Sequence, residues 1–321
     1  MPRFLITGAN GFVGTDLCRE LLQRGQTVRA AVRNRKWHMP RVEIAPIGDL
    51  GPDTDWRTAL KDVGVVIHSA ARVHIMRDQA LNPLAEFRHI NVAATENLAR
   101  QAAQAGVQRL VFVSSIKVNG EGTAPGQAYT EQDTPAPEDP YGVSKWEAEQ
   151  MLQRVSAETG LEVVIVRPPL MYGPGVKGNF LRLLNAAEQE WPMPLRAVTD
   201  NARSLLYLGN FVDALITCAT HPAAAGQTYL VSDGTAPSTA QLFNALSTVM
   251  HRRNHSLSIS PLLMKRVANW LGKQETAERL FGSLRIDDRK IRQQLGWQPP
   301  YTSQQGLELT AEWYAHHRPF P

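Results

Sequence analysis

TGANGFVG, residues 7–14, is the segment from which the rest of the chain is read. It follows the apolar run RFLIT and opens FVGTDLCRELLQRG, in which Phe12, Val13, Leu17 and Leu21 share one helical face before a stop at Gly25. A strand, a glycine turn and a helix in that order predict a phosphate cradle. Gly8 permits the tight turn, Gly11 lets a pyrophosphate approach the backbone, and Gly14 lets the helix pack closely on the strand. Asn10, Phe12 and Val13 complete the loop, and the helix N-terminus presents free N–H groups and a positive dipole end to a diphosphate.

Outward from this stretch the chain keeps alternating. TVRAAVR, DVGVVIHSAA, QRLVFVSS and LEVVIVRPP read as continuously apolar strands, with helices at NVAATENLARQAAQAG and YGVSKWEAEQMLQRVSAETG. Fully apolar strands separated by helices predict an α/β fold: a doubly wound parallel sheet covered on both faces. Residues 121–140, with four prolines in twenty positions, read as a surface loop leading into a helix. From about residue 172 the alternation fades into a smaller lobe, which RKIRQQLGWQPPYTSQQGLELTAEWYAHH is expected to close as helix, turn and helix.

The 321 residues carry a formal charge of +4, yet no run of like charges marks a nucleic-acid track, so scattered arginines point to small anionic ligands. Two cysteines, Cys18 and Cys218, cannot build a disulfide framework or a cysteine-based zinc site and are expected as buried thiols; no metal is expected. No apolar run approaches the length of a spanning helix, and MPRFLITG enters a strand without room for a signal peptide, so the cytoplasm is the expected place. SPLLMKRVANWLGK carries an apolar stripe of Leu262, Leu263, Val267, Trp270 and Leu271, expected to pack on the second lobe rather than lie on a membrane.

The end of the second strand bears on the choice of dinucleotide. An acid there bonds the ribose 2′-hydroxyl of NAD, whereas arginine accommodates the 2′-phosphate of NADP. This strand ends in AAVRNRK, with Arg33 first in a basic cluster, so NADP is expected, with NAD the alternative. Asp49, followed by Leu50 after the third strand, is a candidate for the adenine edge.

The reacting groups follow. SSIKVNG comes directly off a buried strand, and YGVSK opens a helix that puts Tyr141 and Lys145 on one face. A phenol is a poor base at neutral pH, but a nearby ammonium and a positive nicotinamide ring favour phenolate and fit Tyr141 for acid–base work. Ser115 is placed to bond the same substrate oxygen.

TGANGFVG, HSAA, NVAAT, SSIKVNG, YGVSK, RPPLMYGPG and RSLLYLGNFVDA, in this order, resemble the extended short-chain dehydrogenase/reductases, in the NAD-dependent epimerase/dehydratase group acting on nucleotide sugars. The resemblance implies a Rossmann-type domain over 1–171, to which some later segments return, and a mainly substrate-binding lobe over 172–321. It implies Ser115, Tyr141 and Lys145 as the catalytic triad, with Lys145 also on the nicotinamide ribose. It further implies Ala70, Ala71 and Pro168 along the cofactor, and Asn179, Arg203 and more loosely Arg279 on the substrate diphosphate. Lys117 stands where UDP-galactose-type epimerases have a small hydroxyl residue, so the pocket near the reacting carbon is expected to differ in charge. Homodimers formed through helices 91–105 and 141–157 are implied as well.

Two activities compete. One is reduction of a nucleotide-linked 4-keto-6-deoxy sugar, expected to be N-acetylated, for surface polysaccharide; the other is C4 epimerisation of a UDP-sugar with tightly held NAD. The missing acid after the second strand favours the reductase. A redox-sensing module without catalysis is disfavoured by the presence of both Tyr141 and Lys145. A flavonoid-type reductase is disfavoured by Asn179 and Arg203.

Overall fold

The computed structural model describes residues 3–73, 82–270 and 280–317. Seven parallel strands form the main sheet: β1 (Arg3–Thr7), β2 (Val28–Val32), β3 (Glu43–Pro46), β4 (Val63–His68), β5 (Arg109–Val113), β6 (Glu162–Arg167) and β9 (Thr228–Leu230). Their order is β3-β2-β1-β4-β5-β6-β9, so the winding direction reverses between β1 and β4. A crevice opens there at the C-terminal strand ends, the place where doubly wound sheets bind ligands.

The strands are apolar throughout because both faces are covered. One face packs Phe4, Ile6, Val65, Ile67 and Val164 under helices α1 (Phe12–Gln23) and Leu208–Thr220. The other packs Leu5, Val66, Leu110, Phe112 and Ile165 under helices Ala94–Gln104 and Pro140–Thr159. Cys18 and Cys218 are both buried free thiols, and burial pushes each up to about 12.

The smaller lobe is built on the parallel pair β7 (Leu170–Tyr172) and β8 (Leu205–Tyr207), with helices Gly178–Glu188, Thr239–Val249 and Ser303–His316 around a core of Tyr172, Phe180, Leu184, Phe243, Leu246 and Tyr314. The expected helix–turn–helix closure is divided between the two lobes. Ile291 and Leu295 of helix Arg289–Leu295, with Trp297 after it, pack into the main sheet's first face, where the Trp297 indole donates to Asp213 at 2.8 Å. Two members of the stripe at 262–271 depart from the expected packing, while the side chains of Leu262 and Val267 lie outside the described ones. On helix Pro261–Trp270, Met264 turns to the lobe core, but Leu263 and Trp270 remain 55% and 86% exposed, and Leu271 lies outside the described residues. Among the described residues, no helix is long and apolar enough to cross a membrane.

Candidate active site

The glycine loop sits at the reversal point, and its shape is fixed by close backbone approaches. Gly8 has φ +65°, and a Cβ there would lie 2.9 Å from the amide nitrogen of Ala70. A Cβ on Gly14 would lie 2.2 Å from the carbonyl oxygen of Gly8, and one on Gly11 would lie 3.1 Å from it. The Gly11 amide donates to Gly8 O at 2.9 Å, closing the turn. Asn10 and Gly11 are exposed, Phe12 is half-buried, and Val13 anchors the helix in the core. The residues fit a dinucleotide diphosphate: an open cradle without Cβ atoms, facing the first turn of α1.

Behind the loop runs a buried polar chain. Thr7 Oγ1 and His68 Nδ1 are 2.7 Å apart, and His68 Nε2 and Thr95 Oγ1 are 2.9 Å apart. Ser69 Oγ donates to Thr7 O at 2.6 Å and the Ala70 amide to Thr7 Oγ1 at 3.1 Å, which sets Ala70 and half-buried Ala71 along the crevice. Burial, with the Lys145 charge nearby, pushes His68 down to about 3, so the imidazole is neutral at physiological pH.

At the outer end of the crevice, Arg33 Nε lies 2.8 Å from Asp49 Oδ1. Both side chains are exposed, at 76% and 87%, while Leu50 packs against the sheet's second face. The two residues singled out for the adenosine end therefore meet each other, one beyond β2 and the other beyond β3.

The candidate reacting groups converge at the ends of β5 and β6. Asp139 caps helix Pro140–Thr159, accepting from the Gly142 amide at 2.6 Å, so Tyr141 falls in the first turn and Lys145 one turn later. Ser115 lies near enough to the Tyr141 phenol to pull its pKa down against the effect of burial. Pro168 is buried, and its carbonyl accepts from the Ile116 amide at 3.0 Å, joining the β6 turn to the serine loop. Lys145 Nζ donates to Val113 O at 2.8 Å and stands 4.4 Å above the Phe112 ring and 6.0 Å from the Tyr141 ring centroid.

The electrostatics of Tyr141 in the protein alone are set first by burial. Burial and then the Asp139 charge push its phenol up to about 12 against the pull of Ser115, so the ammonium does not by itself favour phenolate here. The physical reason is that Lys145 is committed to a backbone carbonyl and is itself pushed down to about 7 by burial, with the Glu149 charge opposing.

Lys117 is half-buried, and its ammonium donates at 2.6 Å to both Glu121 and Asp139; these two carboxylates raise its pKa against the opposing effect of burial. Its charge is thus tied to the acid that caps the Tyr141 helix. Asn179 is exposed in the first turn of helix Gly178–Glu188. Arg203 precedes β8, bridges to Leu284 and donates to Gly282 O at 3.2 Å. Arg279 lies outside the described residues.

Sequence reasoning missed Thr7, His68, Asn91, Thr95, Asn119, Glu149 and Arg167. Asn91, on the π-helical turn Arg88–Ala93, accepts from the Arg72 amide at 2.8 Å and donates to Ser144 Oγ at 3.0 Å, bracing the Tyr141 helix. A polar residue inside an otherwise apolar strand or helix face was the available signal for His68 and Glu149.

Comparison with known proteins places this geometry. Residues 4–232 match the model of the "NAD dependent epimerase/dehydratase family". The chain is 42% identical over 314 residues to the UDP-glucose 4-epimerase of Vibrio cholerae, covering 97% of this chain and 95% of that one. It is 27% identical over 330 residues to the N-acetyl-α-D-glucosaminyl-diphospho-ditrans,octacis-undecaprenol 4-epimerase of Escherichia coli O157:H7, covering 98% and 95%. Among solved structures, MoeE5 in complex with UDP-glucuronic acid and NAD superposes with a TM-score of 0.78 at 26% identity, covering 98% of this chain and 99% of that one.

Proposed function

The chain belongs to the NAD-dependent epimerase/dehydratase family, and from that premise we propose that it moves hydride at C4 of a UDP-sugar, as a 4-epimerase. The observation that carries this reading is the convergence of Ser115, Tyr141 and Lys145 at the crevice that holds the glycine cradle. Gly8, Gly11, Gly14, Ala70 and Lys145 would hold a nicotinamide dinucleotide, whose ring supplies the hydride acceptor and donor when bound.

Tyr141 takes the C4 hydroxyl proton as hydride leaves that carbon and returns a proton when hydride comes back to the other face of the 4-keto sugar. Ser115 donates to the same oxygen and holds it beside the phenol. Lys145, which donates to Val113 O in this structure, would hold the nicotinamide ribose, and its positive charge would lower the cost of phenolate. Asn179 and Arg203 are proposed for the substrate diphosphate, where guanidinium suits phosphate oxygens in a fork.

A second reading, NADPH-linked reduction of a UDP-4-keto-6-deoxy sugar, is favoured by one specific observation. Arg33, not an acid, stands beyond β2. Denaturing the purified protein and identifying any released dinucleotide by mass, then adding UDP-glucose without external cofactor, separates the two. Stoichiometric NAD and conversion to UDP-galactose support epimerisation. Release of NADP or an empty protein, with NADPH consumed only on a 4-keto sugar, overturns it in favour of reduction. Turnover of neither substrate removes both.

A further inference from the structure

Beneath the reacting groups lies a charged cluster with no part in the steps above. Glu149, fully buried, is one helical turn beyond Lys145 on the same helix. Its carboxylate receives both Nε and Nη2 of Arg167, at 2.9 and 2.5 Å, and the hydroxyl of Ser114, the residue before Ser115. Arg167, the last residue of β6, also donates from Nη1 to Asn119 Oδ1 at 2.9 Å, and Asn119 Nδ2 donates to Thr130 O at 2.9 Å. Ser114, Asn119, Glu149 and Arg167 are all buried.

Stability is a poor reason for such a cluster. Taking both ions out of water costs enough that well-packed apolar residues often serve as well or better. The connections suggest another reason. The bonds from Glu149 and Arg167 reach the serine loop at both ends, Ser114 and Asn119, and join it to the helix of Tyr141 and Lys145 and to the strand that leads to Pro168.

The surroundings of Lys145 make Glu149 its counter-charge. From β4 comes neutral His68, from β5 the Phe112 ring and the Val113 carbonyl, and from β6 Arg167, already forked onto Glu149. On its own helix stand Tyr141 and the cap Asp139, the latter paired with Lys117. Among these groups, Glu149 supplies the negative charge that opposes the burial of Lys145.

We propose that Glu149 is the positioning residue of this site: its carboxylate ties the loop carrying Ser115 to the helix carrying Tyr141 and Lys145 and supplies the negative charge facing the Lys145 ammonium. The inference rests on the proposed use of Tyr141 and Lys145 in hydride transfer.

Glu149→Gln keeps the shape and the bond from Ser114 but removes the charge. In protein labelled with 13C at lysine Cε, with Lys145 assigned through Lys145→Met, the Lys145 midpoint falls by about one pH unit or more. The kcat falls about 10- to 100-fold with KM for the sugar little changed, and the alkaline limb of the rate profile moves to lower pH. The double variant Glu149→Gln/Arg167→Met relieves the unpaired arginine and recovers melting temperature and part of the Lys145 midpoint, but not kcat. It carries the same test should the single variant not fold. An unchanged Lys145 midpoint with wild-type kcat in either folded variant overturns the inference. A displaced midpoint in a protein whose wild type turns over no nucleotide sugar refutes the proposed function and leaves Glu149 in its role.

Discussion

Gly14→Ala is the sharpest perturbation of the cofactor cradle. The added Cβ would sit 2.2 Å from Gly8 O, 2.7 Å from Ala9 Cα and 2.7 Å from the Gly8 carbonyl carbon, all backbone atoms. Ordinary carbon contacts stand near 3.5 Å, so helix α1 must retreat by about 1 Å or the turn at Gly8 must open. Val13 and Leu17 on the same helix are locked in the core, which resists the retreat. Overpacking of this kind costs about 1–3 kcal/mol, and the displacement moves the helix N-terminus away from the diphosphate. The expected result is a folded protein with a lower melting temperature and dinucleotide affinity weakened about 10- to 100-fold, measured by calorimetric titration. Gly11→Ala, whose Cβ meets Gly8 O at 3.1 Å, weakens binding less. Wild-type affinity and melting temperature in Gly14→Ala would refute the argument that backbone approach sets this cradle.

Tyr141→Phe retains dinucleotide binding while kcat falls about 10²- to 10⁴-fold, measured by steady-state turnover alongside titration of the cofactor. Arg33→Ala weakens NADP about 10-fold or more, the scale of a lost charged hydrogen bond, and leaves NAD affinity within a factor of two or three, on the order of the scatter in such contacts; equal losses for both dinucleotides would exclude Arg33 from the 2′-phosphate. His68 gives a pH prediction. Its folded pKa, about 3, lies below the ordinary value of 6.5, so the unfolded chain binds the extra proton between those limits. Stability therefore falls as pH drops from about 6.5 toward about 3, by a few kcal/mol in total, and His68→Gln flattens that slope in melts followed by circular dichroism.

How much of this was legible in the sequence depends on what each residue answers to. The glycines at 8, 11 and 14 were readable because their demands are local: a positive φ at Gly8 and backbone approaches within one turn. The continuous apolar strands were readable because both sheet faces are covered. Tyr141 and Lys145 were readable because helical periodicity alone puts them together. The path of Arg289–Leu295 onto the main sheet was not, because an apolar stripe says that a face is buried and not against what. Thr7, His68 and Thr95 meet across 61 and 27 residues, and Glu149, Arg167 and Ser114 across 18 and 35, separations at which no pattern of spacing speaks. Lys117 was visible as a charge, but its commitment to Asp139 required the fold to bring 117 and 139 together.

The same distinction explains why the triad does not choose between epimerase and reductase. Both activities need a proton moved at one oxygen and hydride moved at one carbon, so the proposed triad of Ser115, Tyr141 and Lys145 would serve either. What differs is whether the dinucleotide leaves between turnovers, and the adenosine end of the crevice is one place that bears on its hold. There Arg33 is paired with Asp49 in a fully solvated setting, where an ion pair is worth about 0–1 kcal/mol. Parting the pair therefore costs little. Once parted, Arg33 would be available to a 2′-phosphate and Asp49 to the adenine edge, so the bridge is no obstacle to the adenosine half of either dinucleotide. Whether the purified protein keeps its dinucleotide through a turnover is therefore the measurement that separates the two activities.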